Sequence, residues 1–160
     1  MNIMIVSDDH GYGVFEEAYN DAVSKYNSID MVLHAGDSEK ASDDYYNRIC
    51  DCPIYMVKGN NDFSNMPLEK IVECQDVRIF LTHGHRYGVY MGITNLIYAA
   101  KEKEAGIVIY GHTHCPFHRK AGDVEVINPG SLAGIRSTSK SYVILEINGN
   151  ETKVDFNYLK

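Results

Sequence analysis

Five times along this chain an apolar run of four to six residues stops at a group of carboxylates, imidazoles or amides. NIMIVS precedes Asp8-Asp9-His10, DMVLHA precedes Gly36-Asp37, and PIYMVK precedes Gly59-Asn60-Asn61-Asp62. VRIFLT precedes His83-Gly84-His85, and IVIY precedes Gly111-His112-Thr113-His114. Such runs, rich in β-branched and aromatic residues, read as short buried strands. Residues i and i+2 of an extended chain point to the same side. His112 and His114 are therefore expected to reach one spot beyond their strand, and Asp8 and His10 to repeat that geometry. Two imidazoles are too few for a stable metal site, so the other strand ends must complete it.

Between the strands lie helical patterns. Phe15, Ala18, Tyr19, Ala22, Val23 and Tyr26 form one apolar stripe, which predicts a helix whose tyrosines belong to the core. Lys40–Ile49 reads as a more polar helix, and the strand–helix alternation up to Lys58 is that of an α/β fold with strand carboxyl ends at one edge. Glu69–Cys74 and Val77–Thr82 read as consecutive strands, and Met91–Ala105 as a helix ended by Gly106. The remainder turns to β: Phe117–Ala121 with Val124–Ile127 around Gly122-Asp123, and Ser141–Ile147 with Glu151–Tyr158 around Asn148-Gly149-Asn150. The expected whole is one domain over residues 1–160, with two sheets face to face and helices outside.

At 160 residues, with 44% hydrophobic and 23% charged side chains, the chain has the composition of a globular domain with a real core. No apolar run reaches the ~20 residues of a membrane span, and MNIMIVSDD lacks the marks of a signal peptide. Cys50, Cys52, Cys74 and Cys115 make no CxxC pair, so free thiols in a reducing cytoplasm are expected. A net charge of -7 argues against the broad positive face that duplex nucleic acid requires. The tyrosine content and short length are compatible with a homodimer.

The candidate metal ligands are Asp8, His10, Asp37, Asn60, His83, His112 and His114. Singly, each has an ordinary explanation, such as a capping Asp or an Asn-rich turn. Asp9 is expected to be a solvated loop residue and His34 a hydrogen-bonded core residue. Together the ligand types fall repeatedly on strand ends facing one edge. Seven ligands exceed the needs of one ion and suit two ions sharing a bridging carboxylate, for which Asp37 is the choice.

The ordered set D-x-H (Asp8, His10), G-D (Gly36, Asp37), G-N-x-D (Gly59, Asn60, Asp62), H-G-H (His83) and G-H-T-H (His112, His114) resembles the calcineurin-like metallophosphoesterase superfamily. Chain length and Asn128-Pro129-Gly130-Ser131 most resemble its small YfcE-type phosphodiesterases. The resemblance implies a four-layer αββα sandwich of two mixed β-sheets with flanking helices. It implies one metal on Asp8, His10, Asp37 and His114, and another on Asp37, Asn60, His83 and His112. Two divalent ions with Asp8 and Asp37 leave a surplus of about two positive charges, which suits a hydroxide plus a phosphate oxyanion. Roughly 3.5–4 Å apart, they would hold a bridging water, lower its pKa and clamp an in-line displacement at phosphorus. The N/O ligand set without thiolate favours Mn, Fe or Zn over Mg or Ca; manganese is the expected ion, with Fe, Zn or Ni as alternatives.

The implied activity is hydrolysis of a small phosphoester, diester before monoester. Many members of the superfamily carry a histidine after the ligand asparagine to protonate the leaving group. This chain has Asn61, which cannot act as a general acid. A preference for good leaving groups is then expected, or an alternative donor such as His85 or a metal-bound water; Asn60 and Asp62 complete the catalytic set, and Asp62 is expected to orient a ligand or a histidine. Arg86 and Arg136 are the arginines near a motif, with contact to a monoester dianion and a surface role both open. Specificity is expected from the loops Phe63–Met66, Arg86–Tyr90 and Ala133–Ser139. Two rivals use the same fold: a phosphomonoesterase or phosphoprotein phosphatase, and a non-catalytic protein-binding scaffold resembling the retromer subunit.

Overall fold

The computed structural model describes residues 1–40, 42–136 and 139–160. The first strands alternate with helices as expected: β1 (Asn2–Val6), α1 (Phe15–Tyr26), β2 (Met31–His34), α2 (Asp44–Asn47) and β3 (Ile54–Met56). Then come β4 (Glu69–Cys74), β5 (Val77–Thr82), α3 (Thr94–Glu102), β6 (Ile107–Ile109), β7 (Phe117–Ala121), β8 (Val124–Asn128), β9 (Lys140–Asn148) and β10 (Glu151–Leu159). Among the described residues they form two five-stranded sheets, ordered β10-β9-β1-β2-β3 and β4-β5-β6-β8-β7. Both are mixed. β1, β2 and β3 run parallel with β9 antiparallel to β1, while β5, β6 and β8 run parallel with β4 and β7 antiparallel at the edges.

The period of two along each strand explains why these runs are apolar throughout. Ile3, Ile5 and Leu33 point inward and meet Ile79, Leu81, Ile107 and Ile109 of the facing sheet. Their neighbours Met4, Val6 and Val32 point outward and pack beneath Phe15, Ala18 and Tyr19 of α1 and Tyr46 of α2. On the far side Phe80, Val108 and Val126 pack beneath Leu96, Ala99 and Ala100 of α3. The four-layer αββα sandwich follows. Among the described residues, no helix is long and apolar enough to cross a membrane.

Two helices are shorter than their patterns predict. Lys40–Ile49 contains only the four-residue α2, because Ser42 Oγ accepts the Asp44 N–H and delays the helix start; residue 41 lies outside the described residues. The Met91–Ala105 pattern begins its helix at Thr94, since Gly88 (φ 62°) and Gly92 (φ 130°) hold the preceding chain in non-helical turns. Its stop is not Gly106. Glu104 takes the left-handed position (φ 55°) beyond the helix end.

Candidate metal centre

Because β1, β2 and β3 are parallel in one sheet and β5 and β6 in the other, five carboxyl ends open at the same edge. The motif loops are stitched together there by their backbones. Asp8 N–H donates to Gly36 O (3.0 Å), His10 N–H to Asp37 O (3.0 Å) and Gly111 N–H to His83 O (3.1 Å). Close approach is bought with glycine: a Cβ on Gly111 would lie 2.0 Å from Ser7 Oγ, and one on Gly59 2.1 Å from Asp37 Oδ1. The Asn128–Ser131 segment fastens the same loops. Asn128 Nδ2 donates to Gly111 O (2.9 Å) and Thr113 Oγ1 (3.0 Å), and Ser131 Oγ donates to Asp8 O (2.8 Å).

Asp8, His10, Asp37, Asn60, His83, His112 and His114 gather at this edge. Asp8, His10 and His114 form one group able to hold a cation, and Asp8, Asp37 and His83 another, each with ligand atoms within 4.8 Å of one another. Asp8 belongs to both groups, and Asp37 of the second also reaches His10 of the first. Asp8 Oδ1 lies 3.1 Å from His114 Nε2, 3.8 Å from His10 Nε2 and 3.9 Å from His83 Nε2. Asp37 Oδ2 lies 3.4 Å from His83 Nε2 and 3.9 Å from His10 Nε2. Asn60 Oδ1 is 3.1 Å from His83 Nε2, and the His112 ring packs edge-on to His83 at 5.1 Å.

The extended i, i+2 geometry expected for the ligand pairs is not what the chain adopts. Asp8 (φ 56°), His10 (φ 47°), His112 (φ 66°) and His114 (φ 59°) are all left-handed, as is Asp37 (φ 55°). The twist sends His114 toward Asp8 and His10 while His112 turns to His83, so the GHTH pair divides between the halves of the site, whereas Asp8 and His10 stay together. Left-handed backbone at a non-glycine residue is costly and clusters at functional sites. The same twist at Asp8 corrects the expectation for Asp9. It is fully buried beneath the site, accepts the Tyr46 hydroxyl (2.7 Å) and lies 3.4 Å from His34 Nε2. His34 is the core histidine expected, its Nδ1 accepting the Gly36 N–H at 3.1 Å.

Each imidazole that faces a carboxylate has its far nitrogen tied off. His83 Nδ1–H donates to Ala35 O (2.7 Å), His114 Nδ1–H to Ile135 O (3.0 Å) and His10 Nδ1–H to Glu39 Oε1 (2.7 Å). These partners present all three Nε2 lone pairs to the site, the tautomer that metal ligation requires. Asp8 Oδ2 is occupied by Ser7 Oγ (2.6 Å) and His112 N–H (3.1 Å), whereas Asp8 Oδ1 and His10 Nε2 are buried without a hydrogen-bond partner among the described residues. Such orphans are costly unless something else satisfies them. A cation with bonds of about 2.0–2.2 Å to O and N would bridge the 3.8 Å gap between the two. The donor set fits divalent metal.

Asp62 works through the backbone: Oδ2 accepts the N–H groups of Asp37 and Gly59 (2.8 Å each), and Oδ1 accepts that of Glu39 (2.6 Å). Asn61 donates to both Asp37 oxygens, from N–H to Oδ1 (2.9 Å) and from Nδ2 to Oδ2 (2.8 Å). Burial alone would raise the Asp37 pKa, but hydrogen bonds and charge from His83 and the Asn61 donors outweigh it and hold the carboxyl well below its usual range. Burial likewise opposes charge on His83, yet Asp37 and Asp8 raise its pKa; Asp8 raises that of His114. His112 and His85 shift down, by burial first and then by His83.

A cleft of about 320 Å³ opens over the cluster, lined by Asn60, Asn61, Glu39, Tyr90 and Arg136 among others. Tyr90 OH donates to His112 O (3.0 Å) and accepts from Arg136 Nη1 (3.3 Å). Arg136 is thus the arginine that reaches the site, whereas Arg86 is exposed and does not line it. His85 stands beside His83 (ring centroids 5.4 Å apart) and also does not line the cleft. Of the expected specificity loops, Arg86–Tyr90 contributes Tyr90, and Ala133–Ser139 contributes Ile135 and Arg136, with residues 137 and 138 outside the described set. Glu39 and Ser7 were not among the sequence candidates. Glu39, two residues beyond the G-D motif, was findable only as an acid close to ligands.

A two-sheet sandwich with carboxylates and imidazoles converging at its parallel strand ends is the architecture of a protein able to bind divalent metal. The calcineurin-like phosphoesterase superfamily domain matches residues 1–150. The protein named probable metallophosphoesterase YsnB, from Bacillus subtilis, is 33% identical over 98% of this chain and 90% of its own. Phosphodiesterase MJ0936 of Methanocaldococcus jannaschii is 30% identical over 94% of this chain and 96% of its own. The crystal structure of a conserved uncharacterized protein from Streptococcus pneumoniae TIGR4, described as a predicted phosphoesterase, superimposes with a TM-score of 0.82. It shares 34% identity and covers 98% of this chain and 88% of that one. Vps29 of Entamoeba histolytica, solved with zinc, has a TM-score of 0.79 at 23% identity over 99% of this chain and 98% of that one, a likeness of fold alone. This chain belongs to the calcineurin-like phosphoesterase superfamily, and its relatives fit the small YfcE-type branch.

Proposed function

We propose that residues 1–160 act as one domain, a dinuclear metal-dependent phosphodiesterase. In this reading Asp8, His10, Asp37 and His114 hold one ion, and Asp37, Asn60, His83 and His112 the other, with manganese first and iron, zinc or nickel as alternatives. The observation that carries it is the pair of buried, unpartnered atoms Asp8 Oδ1 and His10 Nε2, facing each other at 3.8 Å. When bound, two divalent ions supply an activated water and neutralise charge on the phosphoryl oxygens.

The chain's own residues do the rest. Glu39, Ala35 and Ile135 fix the ligand tautomers, and Asp62 and Asn61 hold Asp37 in place. Arg136, braced by Tyr90, offers a cation at the cleft wall for a phosphoryl oxygen. Asn61 occupies the position from which a histidine would protonate the leaving group, and His85 lies outside the cleft lining with a lowered pKa. Water in the open cleft is therefore the donor, and esters of acidic alcohols or phenols are the better substrates.

Diester selectivity is supported by the sparse positive charge: Arg136 is the arginine lining the cleft, and a monoester dianion would need more. The four unpaired cysteines fit a cytoplasmic location, and partnership with a second copy remains part of the proposal. Protein loaded with Mn²⁺ and offered bis-p-nitrophenyl phosphate and p-nitrophenyl phosphate tests the reading. Diester turnover with stoichiometric metal is expected; monoester preference assigns a phosphatase instead, and no turnover with no metal uptake leaves a scaffold.

A further inference from the structure

On the other side of Tyr90 lies a second, larger hollow of about 630 Å³ between the chain leading into α3 and the edge strand β7. Tyr90 lines both spaces, and Thr113, between the candidate ligands His112 and His114, lines the second. The position of Tyr90 is fixed by its hydroxyl contacts to His112 O and Arg136. The two spaces adjoin at Tyr90, so one arm of a phosphoester seated over the metal cluster would pass Tyr90 to reach the second.

The lining specifies the arm. Val89 and Tyr110, both buried, and the half-buried Phe117 give the hollow an apolar and aromatic floor. Around it stand the hydroxyls of Thr94 and Thr113 and the exposed guanidinium of Arg119. A hydrocarbon chain would use the floor and cover those polar groups without pairing them, which is unfavourable. A small polar alcohol would leave the floor bare. A flat ring with hydrogen-bonding edges satisfies both, and the size lies within the usual range for ligand pockets, roughly 300–1,000 Å³. The net charge of -7 disfavours a long polyanion.

Building on the phosphoesterase reading, we infer that this hollow receives the nucleobase of a mononucleotide-sized phosphodiester, with Arg119 and Thr94 meeting the base edge. A matched pair of substrates with one leaving group tests it: thymidine 5′-(p-nitrophenyl phosphate) and methyl p-nitrophenyl phosphate, with Mn²⁺-loaded full-length protein. The nucleoside ester should show kcat/KM on the order of ten-fold higher, mostly through KM, as stacking and edge contacts to one base allow. Arg119→Ala, and separately Thr94→Trp to obstruct the hollow, should erase most of that preference while the methyl ester is turned over as before.

Thymidine alone should shift the amide NMR signals of Thr94, Thr113 and Arg119. Equal handling of the two esters, or a preference that survives both substitutions, overturns the inference and leaves the phosphoesterase reading standing. Amide shifts with no turnover of either ester overturn that reading and keep the base site; absence of both removes both.

Discussion

Glu39 Oε1 lies 2.7 Å from His10 Nδ1, so an exposed carboxylate on the loop after β2 sets the tautomer of an imidazole on the loop after β1. Removing such a partner typically weakens metal binding by about 10–100-fold. Glu39→Ala should lower metal affinity within that range, and Glu39→Gln, whose amide oxygen still accepts a hydrogen bond, should recover part of it. Calorimetric titration with Mn²⁺ measures both.

Metal uptake and metal-free stability should respond to pH with opposite signs. In the metal-free protein the raised pKa values of His83 and His114 favour their protonated forms. Their stabilising contribution is complete below the unfolded histidine value and lost as pH rises through the folded values. A cation must displace those protons, so its affinity falls as pH drops below the raised values, approaching about ten-fold per pH unit for each proton released. Metal titrations and thermal melts across pH 5.5–8.5, on the order of three units, check the two signs.

Asp62→Ala leaves the N–H groups of Asp37, Gly59 and Glu39 without their acceptor. Loss of a buried hydrogen-bonded charge should cost about 3–5 kcal/mol of stability and release the Asp37 carboxylate from its position. Chemical denaturation reads the first effect; metal stoichiometry reads the second.

Replacing Asn61 with histidine should flatten the dependence of rate on leaving-group pKa by supplying an acid where the chain has an amide. His85→Ala should leave that dependence as in the parent protein. A series of substituted phenyl phosphodiesters gives the slopes, and a steeper slope in His85→Ala would instead make His85 the proton donor.

Arg136→Ala should reduce kcat/KM by about ten-fold, as expected for one charge-assisted contact of roughly 1.5 kcal/mol. The loss should be greater for p-nitrophenyl phosphate than for its diester, because the dianion presents more charge to the guanidinium. Steady-state kinetics on the two esters compares them.

The strand ends and their residue types were legible because both are local properties: period two within a strand, and chemistry concentrated where it stops. Asn128 was also visible as part of a motif, although its hold on Gly111 and Thr113 required the fold. What could not be read was set by contacts far apart in sequence. Glu39 meets His10 across 29 residues and Asp9 meets Tyr46 across 37. Nothing in the D-x-H triplet foretells left-handed backbone at both its ends. An extended chain there would put Asp9 in solvent, whereas the left-handed turn at Asp8 buries it. Helix limits failed for a related reason: Ser42 and the glycines before α3 redirect the chain within otherwise apolar patterns.

The backbone at Asp8, His10, Asp37, His112 and His114 is twisted into the left-handed region. Each such position costs an L-residue roughly 1–2 kcal/mol that glycine would be spared. The fold therefore keeps its candidate metal ligands on strained backbone, held by the surrounding sheets. Glycine at His10 or His112 would relieve that strain but remove an imidazole from the cluster, so backbone ease and capacity to hold a cation pull in opposite directions at these positions.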